Sequence, residues 1–127
     1  MKKSVNTVCV DKEGRYLLQM RDGTPGICNP LQWNFFGGKL EENENPLPAA
    51  QRELKEEVGI SSSTDDFFLL GEMNHDDGMV YFFKYTPQVN WRDLDIREGA
   101  GAGFFTKKEI SNLDITEQAK LLAERFL

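Results

Sequence analysis

The stretch that most constrains this chain is Gly38–Ile60, "GKLEENENPLPAAQRELKEEVGI". Pro46 and Pro48 both suit the first turn of a helix, where backbone N–H groups have no intrahelical partner. Asn45 stands ahead of them as an N-cap, and Gly59 suits the position just past the helix end. The pattern predicts a helix from about Pro46 to Val58, with Ala50, Leu54 and Val58 as its buried side. Glu53, Glu56 and Glu57 then share the i, i+3, i+4 face. Like charges so spaced destabilise a helix by roughly 0.2–0.5 kcal/mol per pair. A chain that keeps three of them together needs something to offset the repulsion.

A divalent cation would do so. Three carboxylates on one face make a hard-oxygen cage for Mg²⁺ or Mn²⁺. Such an ion also bridges to phosphate oxygens, lowers the pKa of bound water and neutralises charge on a leaving phosphate. A carboxylate beside that water serves as general base. Arg52 stands i,i+4 from Glu56 and can clamp it. Glu44 starts the helix and points back toward the site. Gly37-Gly38 lets the backbone approach closely, with the Gly37 carbonyl as a further ligand.

The rest of the chain reads as strands with interspersed helices. "VNTVCV" and "RYLLQM" are two strands about the turn "DKEG", and "RDGTPGICNPLQ" is irregular. "WNFF" is a short strand running into "GGKLEENE", expected as a loop. "DFFLLGEMNH" and "GMVYFFKYT" form a hairpin about "DDG", and "GAGFFT" is a further strand. "KKEI" and "TEQAKLLAERFL" read as helices, the last with Ala119, Leu122, Ala123 and Phe126 on one stripe. This order implies an α/β/α sandwich around a mixed sheet. The length, 127 residues, suits one domain over 1–127.

The net charge of −6 argues against a basic nucleic-acid surface. It is compatible with a small phosphorylated substrate, because a bound cation inverts the local field. No run is long and apolar enough to span a bilayer. The start, "MKKSVNTVCVDKEG", does not look like a signal peptide, so a cytoplasmic location is expected. Cys9 and Cys28, without a CxxC, suit reduced thiols better than a disulfide or zinc site.

Read position by position, Gly38, Glu44, Arg52-Glu53, Leu54, Glu56-Glu57, Gly59 and Ile60 match GX5EX7REUXEEXGU, with U apolar. This is the signature of the Nudix hydrolases, and the chain resembles their small MutT-like members in length and strand order. Seven fixed positions would match by chance on the order of once in a million such sequences. The box covers less than a fifth of the chain.

The resemblance implies a Nudix fold and hydrolysis of the pyrophosphate link in a nucleoside diphosphate joined to another group. It implies Mg²⁺ or Mn²⁺ held by Gly37, Glu53, Glu56 and Glu57, with Arg52 in the catalytic set. It also implies a further acidic residue from the loop before the last strand, here Glu98, as ligand or base. A phosphate-contacting arginine near Arg21 is common in such enzymes, and Lys39 is placed to reach phosphates. Phe35 and Tyr81, with Trp33 and Phe83, are candidates for a wall that stacks on a base, although aromatics at strand spacing also suit a core. His75 is expected at the surface beside the turn formers Asp76 and Asp77. Many relatives have proline before the double glycine, whereas this chain has Phe36, which leaves the pocket floor undefined.

Nucleoside triphosphates, including oxidised ones, or nucleotide sugars fit the chain size. No nucleic acid polymer and no membrane is expected as partner, and the protein would act as a monomer or homodimer. The competing class is a Nudix-fold nucleotide sensor that has lost turnover, but its glutamates would be eroded and these are intact. A calcium-binding structural protein would show EF-hand spacing, which is absent.

Overall fold

A computed structural model describes residues 2–21, 31–75, 78–97 and 99–127 of the chain. Asp76, Asp77, Glu98 and Cys28 lie outside the described residues. Among the described residues, seven strands and three α-helices are arranged as β1 (Lys2–Val8), β2 (Tyr16–Met20), β3 (Trp33–Asn34), β4 (Phe36–Lys39), α1 (Pro46–Val58), β5 (Phe67–His75), β6 (Gly78–Tyr85), β7 (Gly101–Phe105), α2 (Lys107–Ile110) and α3 (Glu117–Phe126). A mixed sheet has the order β4-β1-β6-β5, in which β1 and β6 are parallel and the other pairs antiparallel. An antiparallel sheet, β3-β2-β7, continues the layer.

Side-chain alternation along the strands sorts the core into two sides. Cys9, Leu17 and Phe36 pack with Leu54 and Val58 of α1. Val8, Leu18, Phe35, Val80 and Phe82 pack with Ala119 and Leu122 of α3. Val5 and Phe83 meet Ala49 and Ala50 of α1. Both faces of the sheet layer are therefore covered, and the arrangement is an α/β/α sandwich. The expected stripes on α1 and α3 are the buried ones.

The boundaries of α1 have the anticipated causes, with one exception. Prolines open the helix, and Gly59 closes it in the left-handed region at φ 76° while its N–H bonds to Lys55 O. The Asn45 side chain makes no cap hydrogen bond. Two of the first-turn N–H groups are instead absent, because Pro46 and Pro48 occupy those positions.

Three expectations about extended segments change. "WNFF" is not one strand: Trp33 and Asn34 pair with β2, whereas Phe36 begins β4 and pairs with β1. The chain crosses between sheets at Phe35. Gly37–Lys39 is strand rather than loop, in register with Ser4–Asn6. Glycine is disfavoured in strands, but only glycine fits here. A Cβ on Gly37 would lie 1.9 Å from Val5 O and 2.8 Å from Asn6 Oδ1. Finally, β1 begins at Lys2 rather than Val5, because β6 continues alongside it to Gly78.

Phe35 is 0% exposed, at the centre of the α3-side cluster. This corrects its reading as a stacking wall, since the ring offers no face to a substrate. Phe35→Ala should lower the unfolding free energy by about 3–5 kcal/mol, measured by chemical denaturation. A wall residue would instead leave stability near wild type.

Candidate active site

The site is built where α1 crosses the end of β4. Gly38 faces the helix, and a Cβ there would stand 2.5 Å from Glu53 Oε1 and 2.7 Å from Glu53 Oε2. Its missing side chain is thus the space that the Glu53 carboxylate occupies. One turn on, Glu57 is 1% exposed and its Oε2 accepts a hydrogen bond from Gln19 Nε2 on β2 at 3.2 Å. Glu56 is on the outer flank, its side chain 51% exposed.

Arg52 ties these groups together. Its Nε and Nη2 donate to Glu44 Oε2 and Oε1, both at 2.8 Å, in a bidentate pair. Nη1 donates to Glu53 Oε1 at 2.9 Å and to Glu56 Oε2 at 3.1 Å. Nη2 also reaches Lys39 O at 3.1 Å, and Nε lies 2.9 Å from Glu41 Oε1. The expected clamp on Glu56 is present, but the main partner is Glu44, eight residues back. The fork geometry of guanidinium matches a carboxylate in a way that one long contact to Glu56 does not.

The electrostatic consequence falls on Glu44. Its hydrogen bonds from the Arg52 side chain, and one from Glu41 N, hold its pKa down to about 2. The same contacts raise Arg52 further above its ordinary range. Burial, then the charge of Glu57, pushes the Cys9 thiol up to about 12. Cys9 is therefore a neutral thiol in the α1-side core.

Among the described residues, no three Asp, Glu, His or Cys side chains converge at ligand distance. The expected cage is open here: Glu53 and Glu56 each give one oxygen to Arg52. The donor set nonetheless fits a hard divalent cation. It consists of carboxylate oxygens, it is cradled by a glycine whose Cβ would fill it, and its innermost member is buried beside a neutral amide.

The other anticipated residues separate. Arg21 follows β2 at the Gln19 end, with its N–H bonded to Gln32 O. Lys39 is exposed and lines an open cleft of about 620 Å³ with Lys2 and Lys3. Tyr81 is half-buried and packs on the cluster of Val5, Ala49, Ala50 and Phe83, in the cross-strand row that runs through Val5 to Gly38. Trp33 stacks edge-on against Phe105 at 4.8 Å, and Phe83 is buried. Phe36 is core beneath α1. His75 is half-buried at the end of β5. Glu98 lies outside the described residues, between Arg97, whose N–H bonds to Glu57 O, and Gly99.

A polar patch on the α3 side was not anticipated. Asn6 Nδ2 donates to Gln118 Oε1 at 2.7 Å, and Thr116 Oγ1 donates to Asn34 Oδ1 at 3.0 Å. The one available signal was polar residues at inward positions of otherwise apolar strands.

Residues 1–125 match the family model described as NUDIX domain, and the chain belongs to that family. It is 41% identical over 54 residues to an 8-oxo-dGTP diphosphatase of Buchnera aphidicola, covering 42% of each chain. It is 32% identical over 73 residues to an RNA pyrophosphohydrolase of Gluconacetobacter diazotrophicus, covering 55% of this chain and 41% of that one. The chain thus spans less than half the length of these curated relatives. The crystal structure of a MutT protein from Methanosarcina mazei superposes with a TM-score of 0.82 at 21% identity, covering 98% of this chain and 91% of that one.

The Glu44–Arg52 pair gives stability a defined pH dependence. The folded pKa of Glu44 is about 2 against an ordinary 4.5. A lowered pKa stabilises above the unfolded value and ceases to do so as pH falls through the folded one. Glu44→Gln should cost about 2 kcal/mol at neutral pH. The gap to wild type should close progressively from pH 4.5 toward pH 2 in denaturation series. A gap that stays constant over that window would contradict the assignment.

Proposed function

We propose that this chain is a metal-dependent hydrolase of the pyrophosphate bond in a nucleoside triphosphate or related nucleotide derivative. The observation that carries the reading is the carboxylate face of α1 set against the Gly37-Gly38 strand and braced by Arg52. The relatives named above act on anhydride-linked phosphates, which supports the reaction class. In our reading a single Nudix domain occupies 1–127 and works in the cytoplasm, where nucleotide pools are.

Glu53, Glu56 and Glu57, with the Gly37 carbonyl and Glu98, would hold Mg²⁺ or Mn²⁺. When bound, the ion supplies Lewis-acid polarisation of phosphate oxygens and of water. The chain's own residues bind and orient. Lys39, with Lys2 and Lys3 beside it, offers cationic donors to the phosphate chain. Arg21 approaches from the end of β2. In the reaction, the oxygen of one water bonds to a phosphorus and the bond to the bridging oxygen breaks. The water's proton passes to a carboxylate of the site, on α1 or Glu98. A triphosphate then yields a monophosphate and pyrophosphate.

A panel of nucleoside triphosphates, 8-oxo-dGTP, nucleotide sugars, dinucleoside polyphosphates and 5′-triphosphate RNA, each with Mg²⁺ and Mn²⁺, tests this through released phosphate and pyrophosphate. Small nucleotides should be hydrolysed fastest, and EDTA should abolish turnover until cation is restored. Turnover in demetallated protein would overturn the reading, and a preference for RNA would overturn the substrate class.

Glu56→Gln and Glu57→Gln should each lower kcat by about 100-fold or more. Without cation Glu56→Gln should change stability little, because the relief of like charge on α1 offsets the loss of an exposed ion pair to Arg52. Glu98→Gln should cost about 10- to 1000-fold in kcat with little change in KM. An effect on KM alone would make Glu98 a binding residue instead.

A further inference from the structure

Gln19 lies outside the signature, and nothing in the motif calls for an amide there. It is 6% exposed, on β2 between Asn34 of β3 and Ala102 of β7. Its Nε2 donates to Glu57 Oε2 at 3.2 Å. The orientation of the amide is fixed by chemistry, because an ionised carboxylate only accepts. The other end, Oε1, faces Gly99, where an added Cβ would stand 3.0 Å from it and 2.7 Å from Met20 O. Gly99 has φ 84°, so both its backbone and the space before it favour glycine.

The segment around Gly99 is fastened to the same two elements. Asp95 N bonds to Val58 O at 2.9 Å and Arg97 N to Glu57 O at 2.8 Å, both at the end of α1. Ala100 N bonds to Met20 O at 2.9 Å, at the end of β2. Gln19 thus stands where the last turn of α1, the end of β2 and the Gly99–Ala100 backbone meet.

We propose that Gln19 is a positioning residue for the nucleotide hydrolysis described above: it fixes the Glu57 carboxylate from beneath and keys the Gly99–Ala100 backbone to it. This rests on the reading of Glu57 as a cation ligand. A lysine or arginine in its place would neutralise Glu57 and compete with the ion. An aliphatic side chain would leave the buried oxygen without this donor. The neutral amide supplies a hydrogen bond and keeps the negative charge available. Hydrogen-bonding partners of metal-ligating side chains orient them, and their loss costs about 10- to 100-fold in metal affinity or activity.

Two near-isosteric variants test this. Gln19→Met removes the donor and keeps the volume, and Gln19→Glu sets a second carboxylate against Glu57. Mn²⁺ affinity is measured on substrate-free protein by titration calorimetry, beside kcat, KM and the metal-free Tm. Gln19→Met should weaken Mn²⁺ binding and lower kcat by about tenfold or more, while nucleotide KM stays within about twofold. Gln19→Glu should lower the metal-free Tm, and saturating Mn²⁺ should raise its Tm by more than it raises that of wild type.

If Gln19 only packs, both variants bind Mn²⁺ as wild type does, and the proposal is overturned. A loss confined to KM overturns it too, as does a Gln19→Glu Tm indifferent to Mn²⁺. Those results leave the hydrolase reading standing, provided wild type binds Mn²⁺. Wild type that binds no Mn²⁺ overturns both.

Discussion

The guanidinium of Arg52 is the interaction on which the site depends. Four glutamates and a backbone carbonyl converge on it from a loop, a strand end and α1. Without that charge the acidic face of α1 would repel itself and the loop carrying Glu44. With it, Glu44 is locked in its ionised form and the end of β4 is drawn against the helix. The two glycines of β4 set how close the strand can come: Gly37 to β1, Gly38 to Glu53. The arginine and the glycines solve one problem, which is to crowd negative charge against backbone and keep the assembly folded.

Much of this was legible because it is local. The helix from Pro46 to Val58 is written in its prolines, its apolar stripe and its glycine. The β5–β6 hairpin likewise follows from two apolar runs about a turn sequence. The acidic face follows from spacing alone. What the residues could not convey was sidedness. In a sheet covered on both faces, strands lose the simple alternation of apolar and polar. Phe35 and Phe36 therefore looked alike, although one faces α3 and the other α1. For the same reason Phe35 read as part of a substrate wall when it is packed in the core.

Long-range pairs were equally hidden. Asn6 meets Gln118 across 112 positions, and Asn34 meets Thr116 across 82. Gln19 meets Glu57 across 38. Each contact exists only once the strands are in register and the helices docked, so no window of sequence contains it. The acidic signature is legible because it lies in one continuous segment of one helix and one strand end. The polar contacts around it are assembled from distant segments, so they are not.

The central claim is that the carboxylates of α1, with the strand end at Gly37-Gly38, form a divalent-cation site. Paramagnetic broadening by substoichiometric Mn²⁺ in a ¹H–¹⁵N spectrum reads its location directly. The account requires the amides of Gly37, Gly38, Glu53 and Glu57 and the side-chain amide of Gln19 to broaden first. Signals from Trp91 and Phe104, on a cleft lined by Arg15 and Gln88, should remain sharp. Broadening that is uniform over the acidic surface, or centred away from α1, would contradict it.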